Sequence, residues 1–483
     1  MSEWDALLAE LAERRRAARA MGGSDRVARL MTARGKLDAR ARLDLLFDPG
    51  SFVEVGTLVG GRDVPGDALV AGKGRVDGRP VLAGAEDFTV LGGSIGSGSM
   101  AKRYRICELA LQERLPLVFM LDGAGHRLTD TGGGRAPNDL LALADLSGHV
   151  PMVCLVLGAS AGHGALTAPL SDFVIMTESA SMFTGGPPLV KEATGEEVTK
   201  EELGGAMLCT EVSGVAHNRV PDDPAAIALA RRYLSYFPSS AGGAAPRREG
   251  VKASRRLLDG ILEVIPVNPR RPYDMHRVLD LLVDDGSLLE VQPLYGKPLI
   301  TALAFLGGRA VAIVANNPAE GAGAIDSAAA IKGADFLATA GSFGLPVVFL
   351  ADNPGIMAGT AAERHGILKW GGKMYRAQRR LRGPKLHVTF RKAFGFGTSI
   401  MAQNPFDRQT LTYAFPSLTL GAMPASSGGR SAKLDDAERV RLAREQSQAA
   451  WRMAAGMGVD EVIDPRELRN ALIDGLELAE SRR

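Results

Sequence analysis

The chain contains itself twice. LPLVFMLDGAG at residues 115–125 returns as LPVVFLADNPG at residues 345–355, an offset of 230. The same offset, without a gap, pairs Gly78 with Gly308, Arg79 with Arg309, Val81 with Val311, Gly93 with Gly323, Ile95 with Ile325, Ser97 with Ser327 and Lys102 with Lys332. Upstream, LDLLFDPGSFVEV from Leu43 matches LDLLVDDGSLLEV from Leu279 at an offset of 236. A duplication of that length is a duplicated domain, and 483 residues exceed what one ordinary core accommodates. Residues 237–250, FPSSAGGAAPRREG, read as the linker between copies because their Pro, Gly, Ser and Ala density builds no packed element. The expected domains are therefore residues 1–245 and 246–483.

Within each copy the pattern is βαβ: a β-branched run from Val81 or Val311, a glycine-rich turn, a helix carrying the shared lysine, then a strand at residues 116–121 or 346–351. A further strand at residues 150–157 leads to Gly162-His163-Gly164. Its counterpart at residues 385–390 leads to Gly395-Phe396-Gly397. Glycine turns of this kind present backbone N–H groups to an anion or a developing oxyanion. The expected fold class is α/β.

Composition removes several function classes. Hydrophobic residues make up 46% and charged residues 23%, the balance of a globular protein. A net charge of +2 and 5% aromatics provide neither a basic field nor a stacking platform for nucleic acid. Cys107, Cys154 and Cys209 form no C-x-x-C pair, which fits a reducing cytoplasm and neither a zinc site nor a disulfide framework. Residues 1–34 read as an exposed amphipathic helix rather than a signal peptide, with Arg14 to Arg16 on a solvated face.

Two motifs compete for the glycine turns. Gly96-Ser97-Gly98 with Ala101 fits a relaxed dinucleotide fingerprint, but its mate reads Asp326-Ser327-Ala328 and no acidic residue closes the next strand. Gly158-Ala159-Ser160-Ala161-Gly162 is G-x-S-x-G after an apolar strand, which makes Ser160 a candidate hydrolase nucleophile. Its repeat mate is Ala393, and no spacing selects a partner among His217, His276, His365 and His387. Lys102, Arg103 and Arg105 open a helix just past a glycine turn, where they can meet CoA phosphates or simply form an exposed face.

Taken together, GKLDARARLDLLFDPGSFVEVG (residues 35–56), DFTVLGGSIGSGSMAK (87–102), EEVTKEELGGAMLCTEVSGVAH (196–217), GAIDSAAAIKGADF, DNPGIMAGTAAE and RKAFGFG resemble the carboxyltransferase β subunits of biotin-dependent acyl-CoA carboxylases. The resemblance, over residues 30 to 480, implies two tandem crotonase-like domains. The first would hold acyl-CoA and the second would receive carboxybiotin. It also implies a homo-oligomer, commonly a hexamer, and partners that include biotin carboxylase and a biotin carboxyl carrier, since no M-K-M biotinylation sequence is present.

The same resemblance implies two oxyanion holes, with the proton acceptor arriving on the cofactor. The family's D-S-G-G-A-R motif aligns with residues 122–127, which implies the backbone N–H groups of Ala124 and Gly125 as the thioester donors. Its R-K-A-Y-G-G-A motif implies Phe396 and Gly397 as the biotin donors. Substrate contacts are expected at Gly93, Lys102, His126, Arg127, Gly162, His163, Gly164, Gly395 and Ser399, and no metal is expected. The chain departs from the family pattern at Phe396, His126 and His163, which stand where glycine, alanine and glycine are usual. A biotin-dependent acyl-CoA decarboxylase would use the same site in reverse.

Overall fold

A computed structural model describes residues 3–130, 138–248, 255–404 and 406–482. The chain divides into two compact units: residues 1–235 with 239–241, and residues 236–238 with 242–483.

In the first unit, the strands are β1 (Val53–Glu54), β2 (Leu69–Val76), β3 (Arg79–Glu86), β4 (Leu117–Gly123), β5 (Met152–Ala161), β6 (Phe173–Thr177), β7 (Ser181–Phe183) and β8 (Asn218–Val220). They hydrogen-bond in the order β1-β2-β3-β4-β5-β6-β8, with β7 also on β5. The second unit holds β9 (Leu289–Val291), β10 (Leu299–Leu306), β11 (Arg309–Asn316), β12 (Val347–Asn353), β13 (Lys385–Phe394), β14 (Leu411–Ala414), β15 (Thr419–Gly421) and β16 (Glu461–Val462). Its order, β9-β10-β11-β12-β13-β14-β16 with β15 also on β13, is the first sheet strand for strand.

Register repeats as well as order. Leu82 pairs with Leu117 in the first sheet and Ala312 with Val347 in the second, the same pairing moved by 230 residues. Both sheets break register at one point, between Leu121 and Gly123 and between Ala351 and Asn353. β2–β3 and β10–β11 are antiparallel hairpins, and the strands from β3 to β8 and from β11 to β16 pair in parallel. Parallel strands are covered on both faces, which is why β4 and β12 are buried along their whole length. The helix Ser97–Glu113 buries Ile106, Cys107 and Ala110 against the first sheet, and Ser327–Ser342 repeats that packing in the second.

Three expectations need correction. β5 and β13 run to Ala161 and Phe394, four residues beyond the predicted ends, because small residues carry the extended chain onto β7 and β15. Ser160 therefore lies inside a strand, opposite Gly123 and Met182, and not on a strand-to-helix elbow. The linker is also partly ordered. Tyr236 donates to the Ser287 carbonyl, Ala310 N–H to Pro246 and Arg248 N–H to Gly308, so residues 236–238 and 246–248 belong to the second unit. Glu249 and Gly250 lie outside the described residues. The N-terminal stretch is two helices, Glu3–Arg19 and Ser24–Leu30, with Arg14 paired to Glu10.

Candidate active site

The strand ends gather the predicted residues at matching places in each unit. After β3 the chain must cross directly over the end of β4, and Gly93 allows this. Its φ is 66°, and a Cβ there would stand 2.4 Å from the Asp122 carbonyl oxygen. Gly323 repeats the device with φ 78° and 2.7 Å to the Asp352 oxygen. Gly93 is thus a crossing point, buried, with its N–H spent on the Val90 carbonyl at 3.0 Å.

The proposed thioester donors divide. Ala124 N–H donates to the Gly92 carbonyl at 3.0 Å because the loop over β4 folds its carbonyl back onto the strand end. That donor is not free, and its repeat mate is Pro354, which has none. Gly125 N–H has no acceptor among the described residues, and Gly125 abuts β5: a Cβ would be 2.5 Å from the Ala161 oxygen.

The turn after β5 is richer in donors than its sequence reading. Gly162 adopts φ 53° and bonds to Phe183 O at 3.0 Å. The next two amides, His163 and Gly164, have no acceptor among the described residues, and Gly164 precedes a short helix whose N-terminus no side chain caps. In the second unit Gly395 has φ 57°, and Phe396 and Gly397 open the helix Gly395–Ile400, likewise uncapped by any side chain. Gly397 packs on the end of β12, where a Cβ would be 2.4 Å from Asn353 Oδ1 and 2.7 Å from Gly355 Cα. Phe396 is 39% exposed, with its ring 5.5 Å from Tyr375, edge-on. Ser399 is half-buried on the same helix, its carbonyl accepting from Gln378 at 3.2 Å.

Two predicted cationic contacts point inward. Lys102 is 4% exposed, its Nζ donating to the carbonyls of Gly66, at 3.1 Å, and Leu69. Burial pulls its pKa down to about 8, and Lys332, bonded to Gln292 O at 3.2 Å, is pulled to about 8 by the same cause. The shared lysine ties the helix to the backbone that leads into β2 in one copy and β10 in the other, rather than meeting a phosphate. Arg127 is also committed: its guanidinium bonds Ser94 Oγ at 3.1 Å, Ser94 O at 2.9 Å and Asp67 Oδ1 at 2.7 Å, holding the Gly93 loop.

Beneath the His163 turn runs a chain of buried charges. His163 Nε2 lies 2.6 Å from Asp139 Oδ1, and Arg103 Nε donates to Asp139 Oδ2 at 2.5 Å. Arg103 Nη1 reaches Glu86 Oε1 at 3.3 Å, Nη2 bonds Thr167 Oγ1 at 2.6 Å, and the guanidinium sits 4.5 Å over the Phe119 ring. Glu86 Oε2 accepts the Asp122 N–H at 2.8 Å. Burial pushes Glu86 up to about 7 against the pull of Arg103 and that N–H. Burial also opposes ionisation of Asp139, but the hydrogen bonds from His163 and Arg103 outweigh it and hold the carboxyl at about 2. His126, exposed on the strand-end turn after β4, has its ring centroid 6.2 Å from that of His163, at 42°.

Glu86 and Asp139 are not among the predicted residues, and Arg103 meets buried carboxylates instead of CoA phosphates or solvent. One signal was available. The 230-residue offset pairs Glu86 with Asn316 and Arg103 with Gly333, marking both as charges special to the first copy. Asp139 has no such marker.

Ser160, the rival nucleophile, is 0% exposed, and its hydroxyl has no partner among the described residues. No metal-binding group of His, Cys, Asp or Glu occurs among the described residues, and no helix there is long and apolar enough to cross a membrane. The three cysteines are buried and unpaired.

Residues 31–483 match the carboxyl transferase domain family. The chain is 36% identical to the methylmalonyl-CoA carboxyltransferase 12S subunit of Propionibacterium freudenreichii subsp. shermanii over 98% of this chain and 94% of that one. It is 35% identical to the methylmalonyl-CoA decarboxylase subunit alpha of Veillonella parvula over 96% and 94%. A solved transcarboxylase 12S structure, described as a hexamer with methylmalonyl-CoA and methylmalonic acid bound, superposes with a TM-score of 0.93 at 35% identity, covering 100% of this chain and 97% of that one. The two units are crotonase-like, and the chain belongs to the carboxyl transferase family, the carboxyltransferase subunits of biotin-dependent acyl-CoA carboxylases.

Proposed function

We propose that this chain transfers a carboxyl group to the α-carbon of an acyl-CoA, with the thioester held by the first unit and the biotin ring received by the second. Carboxybiotin on a separate carrier polypeptide supplies the carboxyl group and the nitrogen that accepts the α-proton. The chain's own task is to stabilise oxygens that become negative. Each well-aimed donor is worth on the order of 10² to 10³ in rate.

The observation that carries this reading is that free amides recur at matching turns of the two copies: His163 and Gly164 in one, Phe396 and Gly397 in the other. Gly125 N–H, against the same strand end as the first turn, is a third donor for the thioester oxygen. Gly162 and Gly395 set the two turns by their left-handed backbone. At the second turn, Phe396 and Tyr375 form an apolar wall beside the amides, which suits a neutral ureido ring whose carbonyl oxygen is the acceptor.

The hexamer described for the transcarboxylase relative supports a homohexamer here. The partners would be a biotin carboxyl carrier and a biotin carboxylase, in a cytoplasmic enzyme. The similarity to a methylmalonyl-CoA decarboxylase subunit supports the reverse direction as the alternative.

The test supplies a carboxylated biotin carrier with acetyl-, propionyl-, branched and unsaturated acyl-CoAs. A malonyl-type product is expected. In parallel, malonyl-type thioesters are offered with uncarboxylated carrier, and carboxylation of the carrier without detectable forward transfer would assign the decarboxylase direction. Absence of both, or labelling of Ser160 by a fluorophosphonate probe, would overturn the proposal.

A further inference from the structure

Resting on the acyl-CoA reading of the first unit, we infer that His126 and His163 form a two-imidazole clamp for the carboxyl group on the α-carbon of the carboxylated thioester. Asp139 and Arg103 act as positioning residues for His163.

The geometry comes first. Two N–H···O bonds of about 2.9 Å meeting at one oxygen separate their donor nitrogens by roughly 5 to 6 Å. Ring centroids 6.2 Å apart and inclined at 42° are too far apart for the rings to bond each other directly, yet close enough for one small acceptor to meet both. His126 is exposed and His163 is half-buried, so the gap opens outward beside the free amides of His163 and Gly164. Any group attached next to the thioester carbonyl held by those amides falls within reach of the pair.

Orientation comes second. Asp139 takes Nε2 of His163 and leaves Nδ1 without a partner among the described residues. With Nε2 taken by Asp139, Nδ1 is the ring nitrogen of His163 left to meet a ligand. Asp139 cannot turn away, because Arg103 grips its other oxygen while being fixed by Glu86, Thr167 and Phe119.

The second unit supplies an internal control. The bridge from Ile95 to His126 is repeated as Ile325 to Ile356, and His163 is replaced by Phe396. Where the reading places biotin, both imidazoles are hydrocarbon and Arg103 is Gly333. A polar clamp confined to one copy answers a group confined to one substrate. The carboxyl group at the α-carbon is absent from the plain thioester and present in its carboxylated form.

The test is calorimetric binding of two matched pairs to the full-length protein without carrier: acetyl- against malonyl-CoA, and propionyl- against methylmalonyl-CoA. The wild type should bind the carboxylated member about tenfold more tightly, the value of one charge-assisted hydrogen bond. His126→Ala, at an exposed position, and His163→Gln, which keeps an amide for Asp139, should each bring the two members of a pair within about threefold. Asp139→Asn should act only through His163, adding nothing in the His163→Gln background, with thermal melts recorded on each variant. Unchanged preference in His126→Ala and His163→Gln, or no preference in the wild type, would overturn the clamp while leaving the acyl-CoA reading intact. Failure of all four thioesters to bind would overturn that reading and the clamp with it.

Discussion

The two copies share their sheets strand for strand yet handle charge differently. Each ends its central strand in a buried aspartate, Asp122 or Asp352, and each aspartate meets two cations. In the first copy these are Lys36 and Arg42, from the segment preceding β1. In the second they are Arg391 and Lys392, from β13 itself. The fold thus demands neutralisation at that point but not a particular donor. Deeper in, the copies diverge: Glu86, Arg103 and His163 in the first correspond to Asn316, Gly333 and Phe396 in the second. The first copy has a line of ionisable groups under its turn, and the second has an amide, a glycine packed on Met374 and Leu299, and an aromatic ring.

The largest effect should come from breaking what the copies share. Asp352→Ala leaves Arg391, 0% exposed, with an uncompensated charge, and removing one member of a buried pair costs about 3–5 kcal/mol. Asp122→Ala should cost less, because Lys36 keeps 19% side-chain exposure and can turn to water. Denaturant unfolding of both variants checks the order, and equal losses would mean that the source of the cations is immaterial.

The turns sharpen the comparison. Gly397→Ala forces backbone apart, since its Cβ would meet Gly355 Cα at 2.7 Å, whereas at Gly164 the nearest atoms, Glu86 Oε1 and Ser160 Oγ, stand at 3.4 and 3.5 Å. Gly397→Ala should lower kcat by about 10², the value of one misplaced oxyanion donor. Gly164→Ala should stay within a few-fold, so a larger loss there would reverse the assignment of the tighter turn. Carboxylation assays with saturating carrier read both.

At the place of Glu86 the first copy should carry a pH response that its mate Asn316 lacks. Glu86 has its pKa raised to about 7 by burial, so the folded state holds a proton that the unfolded chain releases near 4.5. Its contribution is therefore full below about 4.5 and is lost as pH rises toward 7. Glu86→Gln should flatten that slope, worth about 2–3 kcal/mol across the window. Asn316→Ala should leave the slope untouched. Urea unfolding at pH 5 and pH 8 distinguishes the two.

Much of this was legible in the chain. A single offset of 230 placed β3, β4 and the lysine-bearing helix beside their mates, and register followed, because a duplicated apolar pattern can satisfy only one alternation of faces. What escaped were facts that depend on where a chain folds back. Ala124 aligns with a donor motif, yet its N–H is captured by Gly92, whose carbonyl arrives from another loop. Lys102 and Arg103 open a helix where basic residues usually face water. The start of β2 instead supplies carbonyls to one, and β3 and the helix Asp139–Asp145 supply carboxylates to the other. The amides of His163 and Gly164 were visible only as a glycine turn, since a free donor is defined by what fails to reach it.

The smallest effect belongs to the shared lysines. Lys102 satisfies two carbonyls, Gly66 and Leu69, and Lys332 satisfies one, Gln292. Replacing either by Met keeps the buried stem and removes the ammonium with its hydrogen bonds, a loss of about 1–3 kcal/mol in each case. Part of that is returned because a cation with its pKa pulled to about 8 is itself costly to keep charged at neutral pH. The net loss should be about 1 kcal/mol, greater for Lys102→Met than for Lys332→Met. The gap should narrow above pH 8, where the wild-type ammonium is already deprotonated and only the hydrogen bonds of a neutral amine remain to be lost. Were the two variants indistinguishable at pH 7 in thermal melts, the count of carbonyls would not govern the lysine's worth, and burial of the charge would be the common determinant in both copies.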